Sequence, residues 1–409
     1  MQGGVLAVAQ FGGPSAVINA SLAGVIREAQ RQHSISGIYG LQHGLEGALA
    51  EQILDLTATP AATLDQLVHT PAAALGSSRH KLTDADYQRV IDVLRVHGVS
   101  YLVFVGGNGS MHAGHRLAEL AAAAGYDLRV AGVPKTIDND LFGTDHAPGY
   151  GSAARFLALA TRDTGRDLEA MATFDDVTLL EAMGRNTGWL AAASALAKFD
   201  EDDAPHLVYV PEIPFNETHF LDAVADVHAR LRRVFIVIGE GIRDEAGQFV
   251  GNPLGAESQD PLGRMVHSLA VGAPFYLADL IRARLGLQAR VLRPGLIGRA
   301  LSTCVSAPDR TEAEHVGVEA VRQVAAGRAG IMITLERLSS TPYLCAPGTI
   351  PLAQVGASRE KPLPRAYMNA AGTLPSPEFH HYALPLIGTP PEPLPRLAGA
   401  SIARRLFTR

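Results

Sequence analysis

Apolar residues along this chain gather in short runs, and most of these runs end on glycine, proline or a charge. Val5–Phe11, Ile35–Gln42, Tyr101–Val105 and Leu128–Val133 are such runs. Each reads as a strand, and Tyr101–Val105 and Leu128–Val133 as buried ones. Apolar positions at helical spacing predict helices over about residues 17–30, 84–97 and 110–124. A long helix is expected from Pro148 to about residue 170, then strands at Val177–Glu181, Leu207–Val210 and Val234–Gly239. A helix ending near Ala326 and a strand at Gly330–Leu335 close the regular pattern. Strand alternating with helix predicts α/β layers, two Rossmann-like units with mostly parallel sheets. The expected division is a first unit over 1–148, rejoined by the chain at about 300–338, and a second over 149–299. From Ser339 to Arg409 proline-rich polar segments read as a C-terminal extension wrapped on these units.

The strand ends carry the chemistry. Leu128–Val133 runs into Pro134-Lys135-Thr136-Ile137-Asp138-Asn139-Asp140. Pro134 has no N–H for a ladder and ends the strand. Ligands of open α/β sheets bind at that edge. Two aspartates at i and i+2 suit a division of labour, one taking a proton from a hydroxyl and one holding a cation that carries phosphate charge. The plain alternative is a solvated turn with Asx capping. Gly12-Gly13-Pro14-Ser15 and Gly106-Gly107-Asn108-Gly109-Ser110 each join a strand to a helix, an arrangement that offers backbone N–H groups to phosphate. Met183-Gly184-Arg185 is a third such turn. Arg79, after Gly76-Ser77-Ser78, reads as a surface arginine or a phosphate clamp, and Glu240 as a solvated carboxylate or a partner for a sugar hydroxyl. Arg290, Arg293 and Arg299 surround a Pro-Gly turn. Several strand ends bearing glycine, amide and carboxylate favour one shared site over separate decorative turns.

Composition narrows the classes. A chain of 409 residues, 47% hydrophobic and 19% charged, can bury the cores of two domains. A formal net charge of −6 gives no electrostatic case for nucleic acid or an anionic membrane, so an anionic substrate has to be held by local cations. Cys304 and Cys345 have no metal-ligand spacing and suggest a reducing compartment. The N-terminus lacks a basic n-region, and no run approaches the roughly 18 apolar residues of a membrane span. A cytoplasmic protein with small-molecule partners is expected.

Taken together these motifs resemble the 6-phosphofructokinase family over nearly the whole chain, and most closely its pyrophosphate-dependent branch, the diphosphate–fructose-6-phosphate 1-phosphotransferases. The resemblance rests on Gly12 to Asn19, Gly76 to Arg79, Gly106 to Ser110, Pro134 to Asp140, Met183 to Arg185, Gly239 to Gly241, and Arg290 to Arg299. It implies the phosphofructokinase fold, Mg²⁺ as cofactor, and a homodimer or homotetramer with shared active sites. It implies that Asp138 is the base on the sugar's 1-hydroxyl, acting with Lys135 and Arg185, while Asp140 and Asn108 lie at the metal. Thr136, Asp138, Asp140, Met183, Gly184, Arg185 and Glu240 would line the fructose 6-phosphate site. Arg290, reaching across from a neighbouring subunit, and Arg299 would grip the 6-phosphate. Gly12, Gly13, Arg79, Gly107, Asn108 and Gly109 would face the phosphoryl donor.

The chain departs from the family pattern at several positions. Gly109 stands where pyrophosphate-type members carry an aspartate, whereas Lys135 is the pyrophosphate-type residue. Asn108 replaces a metal-site aspartate, Gly298 a glutamine, Leu296 a phosphate-binding histidine, and Asp176 a subunit-crossing arginine. Because Lys135, the turn at 12–19, the Arg-Pro-Gly turn and the C-terminal extension resemble the pyrophosphate branch, pyrophosphate as donor is the leading reading, with ATP as its alternative. A weakened sugar-phosphate-binding regulatory subunit is the reading from a different class.

Overall fold

The computed structural model describes residues 3–78, 82–251, 258–259, 265–266, 272–355 and 360–398. In chain order the strands are β1 (Gly4–Gln10), β2 (Ile35–Leu41), β3 (Ile53–Asp55), β4 (Val99–Gly106), β5 (Arg129–Pro134), β6 (Val177–Ala182) and β7 (Leu207–Tyr209). They continue with β8 (Val234–Gly239), β9 (Ser258–Gln259), β10 (Met265–Val266), β11 (Ala289–Leu292), β12 (Ile331–Ser340) and β13 (Tyr343–Pro351). One sheet has the order β13-β12-β5-β4-β1-β2-β3. Its five inner strands are parallel, and β13 and β3 close the two edges antiparallel. A second sheet, β11-β6-β8-β7, is parallel throughout, and β9 and β10 form a separate antiparallel pair. The fold is the mixed α/β architecture that the strand and helix alternation predicts.

Burial on two faces explains the largely apolar runs. Leu6 and Val8 of β1 and Val103 and Val105 of β4 face one core with the helix Ile18–Ala29, whereas Ala7, Ala9, Leu102 and Phe104 face another. This is the period-two alternation of a strand, with both phases apolar. Part of the stretch read as C-terminal extension is an edge strand, since β12 turns back into β13. The sequence hides this because β13 has no fully buried position and contains Pro347 and Pro351, which an edge tolerates.

Two contacts return the chain to the first sheet and connect it to the second. The helix Ala307–Ala325 lies on the helix Ile18–Ala29 so closely that a Cβ on Gly24 would collide with the Glu314 carbonyl, and one on Gly317 with that of Ser21. Asp309, buried in the first turn of Ala307–Ala325, accepts from the N–H groups of Gly149 (2.8 Å) and Ser152 (2.9 Å). It thereby caps the helix Tyr150–Ala170 that leads to the second sheet. Among the described residues no helix is long and apolar enough to cross a membrane.

The glycine contact is testable. Gly317→Ala should lower stability by about 1–3 kcal/mol through overpacking, although alanine is the better helix former. The urea midpoint reads this, and an unchanged midpoint would mean the two helices can separate without cost.

Candidate active site

The chain leaves β1 for β2 on one side, while β4 lies on the other, so the C-terminal ends of β1 and β4 form the topological switch point of the first sheet. Both glycine turns are there. Gly12 has φ +73°, outside the range most side chains accept. Lys135, buried just beyond β5, donates from Nζ to the Gly13 carbonyl at 2.8 Å. A Cβ on Gly12 would lie 3.2 Å from that Nζ, and a Cβ on Gly13 would collide with Nη1 of Arg299. Glycine at both positions therefore lets two cations reach one turn. Gly107 precedes the helix Asn108–Ala123, whose first N–H groups and dipole favour an anion. A Cβ at Gly109 would meet nothing within 4 Å.

The loop after β5 faces the second sheet. The Asp138 N–H donates to Thr136 Oγ1 at 3.1 Å, and Thr187 Oγ1 donates to the Asp138 carbonyl at 3.0 Å. Across the cleft, at the end of β6, the Gly184 N–H donates to Glu240 Oε1 at 3.3 Å. Gly184 has φ +115°, and a Cβ on Gly241 would collide with the Arg185 carbonyl. The Met183-Gly184-Arg185 turn is thus pressed onto Glu240-Gly241. Arg185 Nε is buried with no partner among the described residues. A shallow cleft opens beside this turn, lined by Ile137, Leu157, Glu181, Met183 and Gly298.

Charge crowding sets the protonation states. Burial, then the neighbouring Asp140, Glu240 and Glu360, push the Asp138 carboxyl up to about 8, against the opposing pull of Lys135. Burial also raises Asp140, opposed by Thr136, Lys135 and Lys361, and raises Glu240, helped by Glu181 and opposed by Arg185. A carboxyl poised near neutrality has the proton affinity a general base needs. Asn108 Nδ2 donates to Asp140 Oδ2 at 3.1 Å, which leaves Asn108 Oδ1 and Asp140 Oδ1 buried and without a partner among the described residues. Two hard oxygen donors in this arrangement fit Mg²⁺.

Gly12, Gly13, Gly107, Asn108, Gly109, Lys135, Thr136, Asp138 and Asp140 thus follow the strand ends of the first sheet, and Met183, Gly184, Arg185 and Glu240 those of the second. Arg79 lies outside the described residues. Two arginines lie elsewhere than beside the Met183–Arg185 turn. Arg290, at the start of β11, is exposed and pairs with Asp175 at 2.8 Å, and Arg299 rests on Gly13. Asp176 accepts from the Gln288 N–H at 2.9 Å and contacts His228. Sequence reasoning overlooked Thr187, Glu360 and Lys361. Glu360 accepts from Asn186 Nδ2 at 3.0 Å and adds to the charge around Asp138. No local pattern marks these residues, because each acts on a segment distant in sequence.

A family model described as Phosphofructokinase matches residues 5–324. The chain therefore belongs to the phosphofructokinase family. It is 38% identical to the pyrophosphate–fructose 6-phosphate 1-phosphotransferase of Xanthomonas campestris, over 95% of this chain and 92% of that one. It is 33% identical to a sulfofructose kinase of Alkalicoccus urumqiensis, over 97% and 99% of the two chains. Among solved structures it resembles the pyrophosphate-dependent phosphofructokinase of Marinobacter aquaeolei, with a TM-score of 0.84, 33% identity and 99% of both chains covered.

The crowding of carboxyl groups has a thermodynamic consequence. A raised Asp138 means that the folded state holds a proton the unfolded chain releases near pH 4. Stability is then lost as pH rises from about 4 towards the folded value of about 8. In metal-free buffer Asp138→Asn should therefore be more stable than the native chain at pH 8, by about 1 kcal/mol or more, with the gap closing at pH 5. Thermal unfolding at the two pH values checks this, and parallel behaviour of the two proteins would remove the crowding argument.

Proposed function

We propose that this chain transfers a phosphoryl group from inorganic pyrophosphate to the 1-hydroxyl of fructose 6-phosphate, giving fructose 1,6-bisphosphate and phosphate. The observation that carries the reading is the meeting of Asp138 and Lys135 with the two glycine turns on one wall of a cleft whose other wall bears Arg185 and Glu240. In this reading the donor lies against Gly12, Gly13 and the Gly107–Gly109 turn. Its charge is met by the helix N-terminus, Lys135, Arg299 and, as assigned from sequence, Arg79. Thr136, Met183, Gly184 and Glu240 orient the sugar. Asp138, its proton affinity raised by its surroundings, takes the proton of the attacking hydroxyl. Asp140 and Asn108 would hold Mg²⁺, which supplies charge neutralisation at the phosphate oxygens. Positioning and charge stabilisation account for most of the acceleration in such transfers, so little covalent chemistry is asked of the protein.

The first sheet carries the donor and the second the sugar, an assignment that follows the expected division of the chain. Arg290, exposed in one protomer, is the residue a second copy would receive at its sugar site, as a homodimer or homotetramer with shared sites requires. A cytoplasmic, glycolytic role completes the proposal. Pyrophosphate is preferred as donor because the relatives from Xanthomonas and Marinobacter are named for it. ATP is the alternative, on the strength of Gly109. Sulfofructose is an alternative acceptor, because one relative is named for a kinase of that sugar.

A coupled assay of each donor with each acceptor tests the reading. Turnover with pyrophosphate and fructose 6-phosphate is expected, and Asp138→Asn should lower it roughly 10²–10⁴-fold while sugar-phosphate binding largely persists. Failure of every donor would leave the regulatory-subunit reading, and near-native turnover in the variant would remove Asp138 as base.

Gly109 separates the donors. Pyrophosphate ends at its second phosphorus, whereas ATP places an α-phosphate and a nucleoside beyond it. A carboxylate at 109 would enter that volume, and a Cβ at this position would meet nothing within 4 Å. Two unit charges about 4 Å apart at an effective dielectric of about 20 repel by about 4 kcal/mol, less where water and movement intervene. Gly109→Asp should therefore keep or improve kcat/KM for pyrophosphate and abolish whatever ATP use the native chain has. Unchanged ATP use in the variant would show that the turn does not face the donor.

A further inference from the structure

Asn139 separates the two aspartates of the catalytic loop and is fully buried, with φ +53°. That left-handed conformation costs most side chains energy, and asparagine is among the few that tolerate it. Its amide is held from behind. Nδ2 donates to the Tyr382 hydroxyl at 3.0 Å, and Oδ1 accepts from the Ala147 N–H and from Lys361 Nζ, both at 3.2 Å. Lys361 Nζ also donates to the carbonyls of Thr144 (3.2 Å) and Asp145 (2.6 Å), and the Lys361 N–H donates to the Asp140 carbonyl at 2.8 Å. The Tyr382 hydroxyl donates onward to the Asp145 carbonyl at 2.7 Å.

Lys361 and Tyr382 are themselves fixed. Trp189 Nε1 donates to the Lys361 carbonyl at 3.0 Å, and Lys361 Nζ lies 4.9 Å from the centre of the indole. Arg337, from β12, lies 4.5 Å over the Tyr382 ring and donates to the Tyr382 carbonyl at 2.9 Å. Both clamping residues fall beyond the 5–324 span that the family model matches.

We propose that Lys361 and Tyr382 are positioning residues, which hold Asn139 in its left-handed turn so that Asp138 and Asp140 are aimed together into the cleft. The role rests on the phosphoryl-transfer reading for its kinetic consequence, but the clamp itself is a statement about the loop. A half-buried cation bonded to one side-chain oxygen and two carbonyls of residues 139–145, with its own main-chain N–H on the Asp140 carbonyl, is a costly device for general stability, and here each of these bonds falls on the loop that carries the two aspartates.

The test uses the full chain with Lys361→Met and, as an independent milder variant, Tyr382→Phe. Each should lower kcat for pyrophosphate and fructose 6-phosphate by roughly 10–100-fold, the range for removal of an outer-shell support. KM for fructose 6-phosphate should stay within about threefold, since Arg185 and Glu240 are untouched. Hydrogen exchange followed by mass spectrometry should show faster exchange confined to a peptide spanning residues 136–147. Unchanged kcat in a folded variant, or a lower kcat with unaltered exchange in that peptide, would overturn the clamp. If the native chain transfers no phosphoryl group, the functional reading fails, and the exchange measurement still decides whether Lys361 and Tyr382 hold the loop.

Discussion

Asp138, Asp140 and Glu240 crowd one largely buried cleft, and the need to keep three carboxyl groups close shapes much of what surrounds them. Each is pushed upward by burial, and Asp138 further by the other two. The cations that oppose this arrive from different directions: Lys135 along the β1 turn, Arg185 from the end of β6, and Lys361 from behind the loop. Such approaches need bare backbone, which is why glycine stands at 12, 13, 184 and 241, where side chains would meet a cation or a carbonyl. The site stores unfavourable electrostatics and one strained residue, and the rigid strand ends beneath it bear that cost.

Most of the scaffold is legible in the sequence because parallel strands buried on both faces leave short, largely apolar runs, and the polar residues at their ends fall where the topology gathers them. Gly12, Gly107, Lys135 and Asp138 could be placed by that logic without knowing any long-range contact. What stays hidden depends on contacts between distant segments. The collision that forces glycine at 24 and 317 is invisible until two helices are known to pack. Lys361 reads as one charge in a proline-rich tail, although it reaches Asn139 across 222 positions. β13 escapes because an edge strand with prolines has neither the buried run nor the clean alternation of a central strand. Arg299 shows a different limit: its place in the motif is readable, but the turn its guanidinium rests on is a matter of side-chain direction.

The apparent conflict between Lys135 and Gly109 over the donor eases once the two are placed. Lys135 Nζ is bound at the Gly13 carbonyl, on the β1 side of the switch point and beside the loop that carries Asp138. In the proposed reading a cation there would meet the phosphoryl group nearest the attacking hydroxyl, which pyrophosphate and ATP share, so it would contribute to either reaction without choosing between them. Gly109 is the second residue of the helix Asn108–Ala123, and beyond it lies open space. In the proposed reading that position would act only on what the donor carries past its second phosphorus, and the two residues would then govern different parts of the donor. A lysine at 135 is compatible with both donors, and exclusion of the nucleotide would depend on what fills the volume beyond residue 109.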